Sequence, residues 1–391
     1  MKEIVILSGA RTPIGSFLGS LSSMSAPQLG AVAIRCAMQM AGVEPGSIQN
    51  VMMGNVLQGG VGQAPARQAA IAAGIPVSAG AVTINKVCGS GLKSVMFAVN
   101  DIRCDEYDVA AVGGMESMSN APYILPKARS GYRMGNDKVV DLMIHDGLWD
   151  PYGDKHMGNC AETCVGEYGF TREEQDQFSL ESYERAQASV RQGKFKKEIA
   201  VVEMETRKGK SVVVDDEEPF SAPLDKMGKL RPAFQKDGSV TAANSSKISD
   251  GAAAMVVASA EWAKGKGLQP LARIVAQSTH SQEPEWFTTA PGKAIELVLK
   301  KAGLSAGDID LFEINEAFAA VALAAMRDVN IPREKLNVNG GAVALGHPIG
   351  ASGARILVTL LHALQERGLS RGLASICNGG GEATAMIVEM L

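Results

Sequence analysis

Gly340-Gly-Ala-Val-Ala-Leu-Gly-His-Pro-Ile-Gly-Ala-Ser-Gly-Ala-Arg355 sets five glycines and one proline around a single histidine, His347. Such backbone freedom predicts a tight turn that brings main chain close to a ligand, then a helix from about Gly350. His347 stands where turn and helix meet. Taken alone it reads more readily as a structural loop histidine. Two cysteines in similar settings change that reading: Cys88 in Asn85-Lys-Val-Cys-Gly-Ser-Gly91 and Cys377 in Ser375-Ile-Cys-Asn-Gly-Gly-Gly381. Three reactive side chains on three glycine turns are expected to share one site.

Outward from these turns the chain alternates. Strands are predicted over 3–8, 48–53, into Asn85 and over 108–113, with helices over 27–42, 65–73 and 90–103 between them. This is an α/β pattern, a mixed sheet with helices on its faces. The last third repeats it. Ala33, Ile34, Ala41, Gly42, Gly46 and Ile48 recur 261 residues later as Ala294, Ile295, Ala302, Gly303, Gly307 and Ile309, and Cys88-Gly89 falls opposite Ile349-Gly350. Two similar halves with equivalent turns converging on one site are expected. Residues 119–247 break the rhythm with charge runs (Lys194–Glu198, Asp215–Glu218), prolines and short amphipathic helices, of which 171–192 is the best. They read as an insertion able to cover the site.

The 391 residues suffice for two domains or more. Apolar residues make up 46%, charged ones 20%, and the net charge is about −4, which gives no basis for nucleic-acid or membrane attraction. No long apolar span or presequence is read, and none of the six cysteine spacings makes a zinc or disulfide framework. Free thiols point to a reducing, cytoplasmic place. Cys160 and Cys164 share a helical face, while Cys36 and Cys104 read as small buried hydrophobes.

The chain resembles the thiolase family from end to end, nearest to its acetyl-CoA acetyltransferases. The likeness rests on Asn85–Gly91, Gly113-Gly-Met-Glu-Ser-Met118, Asn315-Glu-Ala-Phe-Ala319, Gly346-His-Pro-Ile-Gly-Ala-Ser-Gly353 and Cys377-Asn-Gly-Gly-Gly381, in order and at family spacing. It implies two βαβαβαββ halves packed as an αβαβα core with an inserted loop domain. Residues 1–118 and 248–269 would form the first half, 119–247 the insertion, and 270–391 the second. A homotetramer, a dimer of dimers, is also implied. The activity implied is reversible condensation of two acetyl-CoA to acetoacetyl-CoA and CoA, with CoA as substrate and product and no covalently bound cofactor. Alternatives are a broader 3-ketoacyl-CoA thiolase and a non-catalytic CoA- or lipid-binding relative, the latter opposed by the intact cysteines and histidine. Phe287 and Met157 suggest a small acyl pocket, and Thr288 stands where enzymes for branched substrates have proline.

In chemical terms Cys88 lies between a strand and a helix, where the helix N-terminus and a nearby histidine should lower its pKa. The resemblance makes it the nucleophile and His347 its base. Cys377 would remove a proton from the second acetyl-CoA. Gly379 N–H and Cys88 N–H would form one oxyanion hole, Asn315 (holding a water) and His347 the other. Asn315 also reads as a helix cap for a helix over 316–329. For CoA the resemblance implies walls of His156, Met157, Phe234 and Phe318, a hydrogen bond from Ser246, and Lys226 paired with a phosphate. Ser221 stands near an arginine position of many bacterial relatives, and Asn244-Ser-Ser-Lys247 replaces the family's Asn-Ala-Ser-Gly, adding a positive charge at the pocket mouth. Tyr183 matches a tyrosine of the potassium-activated mitochondrial type and is read as evenly as a plain helix tyrosine. Potassium, if bound, would take carbonyls near Ala242, Ala243, Ser245 and Val343.

Overall fold

In the computed structural model, which describes residues 2–206, 209–222 and 224–391, the first half runs β1 (Ile4–Arg11), α1 (Ala26–Ala41), β2 (Asn50–Gly54), α2 (Pro65–Ala72), β3 (Gly80–Ile84), α3 (Ser90–Arg103) and β4 (Val109–Ser117). An insertion carrying α4 (Met157–Tyr168) and α5 (Arg172–Arg191) precedes β5 (Ser249–Ser259) and α6 (Ala260–Gly265). The second half is β6 (Ala272–Ser281), α7 (Ala290–Ala302), β7 (Leu311–Ile314), α8 (Ala319–Val329), α9 (Ala342–Leu345), α10 (Ile349–Arg367), β8 (Arg371–Asn378) and β9 (Glu382–Met390).

The strands form one ten-stranded sheet, counting the two-residue strand Gly15–Ser16, in the order β7-β8-β9-β6-β1-β5-β4-β2-β3. β1 and β6, the first strands of each half, meet antiparallel at its middle (Val5 opposite Arg273). Strands β1, β4 and β5 are buried at every position, the signature of a sheet covered on both faces. Three apolar clusters supply the cover. One packs α3 and α10 between the two sheet halves, one packs α1 and α2 on the outer face of the first half, and one packs α7 and α8 on the second. The layers therefore run helix, sheet, helix, sheet, helix.

The repeat read in the sequence is a repeat of structure. Gly42 ends α1 with φ 63° and Gly303 ends α7 with φ 67°, each a left-handed cap that glycine adopts without a Cβ penalty. A single 3₁₀ turn follows each (Pro45–Ser47, Ala306–Asp308) before the next strand. The halves differ at one strand. Where the first has β3, the second has only an isolated bridge between Phe312 and Leu336. Beyond it the side-chain amide of Asn337 (φ 47°) pairs with both backbone groups of Ile314, at 2.9 Å each, and so takes the place of a strand residue.

The insertion is fastened to β1 by charge. The fully buried Arg11 donates to Glu198 at 2.5 Å and to Asp216 at 2.6 and 2.9 Å, and both carboxylates lie in the insertion. α5 begins with a complete capping box, Thr171 with Glu174. Two sequence expectations are corrected. Cys104 is exposed at the C-cap of α3 rather than buried. The helix after Asn315 begins at Ala319 with Phe318 as its N-cap, so Asn315 is not a cap. Glu316 cannot enter the helix because its carboxylate accepts from Ser182, Asn337 and the Val343 N–H. No described helix is long and apolar enough to cross a membrane.

Candidate active site

Cys88 sits on the turn between β3 and α3, one residue before the N-cap Gly89. Val87 takes φ 47°, and the Ser90 hydroxyl holds the turn by accepting from Lys86 N (2.8 Å) and donating to Val87 O (2.6 Å). The backbone N–H groups of Gly379 and Cys88 itself point at the sulfur and favour its thiolate, but burial outweighs them. Together with the nearby Glu116 carboxylate, burial pushes the thiol up to about 11, so the expected lowering of the Cys88 pKa is overturned. The thiol rests protonated.

His347 follows Gly346, whose φ of 107° and contact with Ser249 exclude any side chain: a Cβ there would fall on Ser249 Oγ. Its N–H donates to Lys247 O (2.9 Å), and α10 starts two residues later. His347 Nδ1 lies 2.6 Å from Ser352 Oγ, which in turn is 2.9 Å from Pro348 O. The hydroxyl has one proton and a carbonyl only accepts, so Oγ donates to Pro348 and accepts from Nδ1–H. That fixes the tautomer with the lone pair on Nε2. Burial and the charge of Arg355 push the imidazole down to about 3, so it is neutral. Asn315 Nδ2 is 3.5 Å from Nε2, and the buried Asn315 Oδ1 has no partner among the described residues.

Cys377 is the last residue but one of β8 and is fully buried, packed with Met157, Phe287 and Phe318. Burial and the proximity of Cys88 push its thiol far up. In front of these groups opens a cavity of about 260 Å³ lined by Cys88, His347, Gly379, His156, Met157, Phe234, Ser246, Lys247, Phe287 and Phe318, among others. His156 stacks on Phe234 (4.8 Å), and Phe318 meets Phe234 and Phe287 edge-on (6.0 and 6.4 Å). Asn315 joins the site through His347, and Cys377 through Cys88.

Two expected residues lie elsewhere. Lys226 and Tyr183 line a second cavity of about 220 Å³ with Ser221 and Ala242. Tyr183 is fully buried and its hydroxyl has no partner among the described residues. The carbonyls expected to hold potassium are engaged differently. Lys247 Nζ donates to Ala242 O and, at 3.0 Å, to Ser245 O, and it lies 5.8 Å from the centre of the Tyr183 ring. Lys247 thus takes two of the four carbonyls expected around potassium, those of Ala242 and Ser245, and with its charge in place that pair does not fit the ion.

Three residues of the site were not singled out in the sequence. Ser352 orients the imidazole. Leu148, from the charged insertion, lines the cavity, and no sequence pattern marks it. Glu116, inside one of the quoted motifs, is a buried carboxylate that accepts from Val56 N, Leu57 N, Asn55 Nδ2 and Gly350 N, the last at 2.8 Å. It ties β4 to the start of α10 behind His347. A carboxylate inside an otherwise small and apolar strand was the signal.

A thiol under two backbone N–H groups, a neutral imidazole with its lone pair free and a second thiol behind it define an acyl-transfer site on a duplicated α/β scaffold. The family profiles for the thiolase N-terminal and C-terminal domains match residues 4–261 and 268–390. An acetyl-CoA acetyltransferase from Cupriavidus necator is 51% identical over 391 residues, covering all of both chains. The crystal structure of the Bacillus anthracis acetyl-CoA acetyltransferase superposes with a TM-score of 0.98 at 41% identity, over 100% of this chain and 99% of that one. A thiolase from Ascaris suum in complex with coenzyme A superposes at 0.95 with 43% identity, over all of both chains. The chain belongs to the thiolase family and is an acyltransferase.

Proposed function

We propose that this chain is an acetyl-CoA C-acetyltransferase, which reversibly joins two acetyl-CoA into acetoacetyl-CoA and CoA through an acetyl-Cys88 intermediate. The observation that carries the reading is the grouping of Cys88, His347 and Cys377 behind one small aromatic-walled cavity. Cys88 Sγ attacks the thioester carbon as His347 Nε2 takes its proton, and the carbonyl oxygen gains charge against the N–H groups of Gly379 and Cys88. CoA leaves as the thiol by taking the proton of Cys377, which is left as a thiolate, while His347 keeps the Cys88 proton on Nε2 until the sulfur is released again. Cys377 then removes a proton from the methyl of a second acetyl-CoA, whose enolate oxygen is held by His347 and a water on Asn315. The carbanion attacks acetyl-Cys88, releasing acetoacetyl-CoA and returning the sulfur to its thiol form. Two thiols are needed because one is acylated while the other acts as base.

The bound coenzyme A of the Ascaris thiolase supports CoA as the carrier here, with Ser246, His156, Met157, Phe234 and Phe318 around its pantetheine end. Lys226, which lines the neighbouring cavity, would pair with a CoA phosphate. Phe287, 2% exposed and edge-on to Phe318, shuts the acyl end and favours acetoacetyl-CoA over long chains. A homotetramer is supported by the open sheet edge at β3, with Val77 and Val82 exposed, and by exposed Tyr123, Leu125 and Met134 in the insertion. Six unpaired thiols suit a reducing, cytoplasmic setting. Thiolysis of acetoacetyl-CoA, 2-methylacetoacetyl-CoA and 3-ketohexadecanoyl-CoA tests the reading. The first should be fastest, and equal or faster cleavage of the sixteen-carbon substrate would overturn it.

A further inference from the structure

We infer that Lys247 is a tethered cation, taking the place of a free monovalent ion beneath the cavity and holding the 241–247 loop, and with it His347, in position. The loop is folded so that two carbonyls converge. Thr241 N donates to Asn244 Oδ1 (2.7 Å) and Ser245 Oγ to Thr241 O (2.7 Å), which turns the Ala242 and Ser245 carbonyls to one side. Lys247 Nζ occupies the point where they meet, below the face of Tyr183, a ring that attracts positive charge. Without a cation there, two carbonyl dipoles would face each other in a half-buried place.

The consequence reaches the chemistry by two short links. Ser246, next to the cation, lines the Cys88 cavity, and its N–H is fixed on Ala317 O at 3.0 Å. The Lys247 carbonyl accepts the His347 N–H at 2.9 Å. Lys247 is therefore a positioning residue, since its ammonium touches neither sulfur. Burial pulls the ammonium down to about 8, opposed by Glu218, and Lys226 faces the same second cavity. An ion held by its own side chain costs no binding equilibrium, so the loop stays formed whatever the salt.

Thermal unfolding tests this independently of the reaction proposed above. The wild type should melt identically in KCl, NaCl and choline chloride at equal ionic strength. Lys247→Gly removes the ammonium and leaves the carbonyls open, so it should melt about 2–3 °C higher in 0.1 M KCl than in choline chloride. In thiolysis, which rests on the proposed function, the KM of the variant for CoA should rise about tenfold in choline chloride and recover in potassium, with kcat less affected. Lys247→Met, which fills the space without charge, should stay weak in every salt. A potassium-specific rise in the wild-type melting temperature overturns the inference, as does a Lys247→Gly variant whose melting and KM match the wild type in all three salts. If Lys247→Gly does not fold, the wild-type salt series and Lys247→Met decide. A Lys247→Met variant with wild-type KM is then the refuting result.

Discussion

Replacing Ser352 by alanine removes one oxygen, and the structure says what that oxygen does. It accepts the Nδ1 proton of His347 at 2.6 Å between two buried side chains, and no other described group accepts it. A buried N–H left without a partner costs about 1–3 kcal/mol. The imidazole can avoid that cost only by turning or by moving its proton to Nε2, and both take the lone pair away from Cys88. At about 1.4 kcal/mol per tenfold, the loss corresponds to roughly 5- to 150-fold in rate. The fall should appear in kcat with KM nearly unchanged, since Ser352 does not line the cavity. It should appear in both half-reactions, because His347 serves both. Rapid mixing with acetyl-CoA and intact-mass detection gives the acetylation rate, and steady-state thiolysis gives the whole cycle. A folded Ser352→Ala enzyme acetylated within twofold of the wild-type rate would refute the tautomer assignment.

Other outcomes follow from the same geometry. Cys377→Ala should still be acetylated on Cys88, while condensation and thiolysis fall by roughly 10²–10⁴-fold, the worth of a positioned acid–base group; His347→Ala should damage both steps, and intact mass separates them. Alkylation of Cys88 by iodoacetamide, followed by peptide mass, should rise about tenfold per pH unit from 7 to 10, because burial places its pKa near 11. A plateau below pH 8 would mean a resting thiolate–imidazolium pair instead. His347 titrates near 3 in the folded chain and near 6.5 unfolded, so the native state binds fewer protons between those values. Stability should be full above pH 6.5 and fall with pH toward 3, a loss that His347→Gln lessens in urea titrations; an unchanged acid profile in that variant counts against the buried neutral imidazole. Arg11→Met strands the Glu198 and Asp216 carboxylates and should cost about 3–5 kcal/mol in urea unfolding, with less than 1 kcal/mol disproving the fastening role.

What could be read in the sequence was what the backbone alone demands. Gly42 and Gly303 mark equivalent left-handed caps, and the glycine turns at Cys88, His347 and Cys377 mark where main chain must come close, so the halves and the site were visible without coordinates. What escaped depends on which side chain finds which partner across the fold. Lys247 was seen as an added charge at the pocket mouth, but its reach back to Ala242 O required the loop's shape. The helix N-terminus and the histidine argued for an acidic Cys88, and desolvation, which no local pattern reveals, won. Asn315 failed as a cap because Glu316 is drawn to Ser182 and Asn337 instead of into the helix.

The helices that carry the chemistry cross in backbone contact: a Cβ on Gly91 would sit 2.7 Å from Ala354 N, and one on Gly353 would sit 2.5 Å from Leu92 N. Cys88 and His347 are thus held by the core, while Leu148, His156, Met157 and Phe234, which shape the space before them, all come from the insertion. Most of the wall around the substrate is thus written in a different segment from the reacting groups, with Phe287 and Phe318 of the second half closing the acyl end. Grafting residues 143–158 and 230–240 together with the residue at position 287 from a relative of different chain-length preference should alter which acyl group is accepted and leave the rate of sulfur acylation intact, so that selection can retune one with little effect on the other.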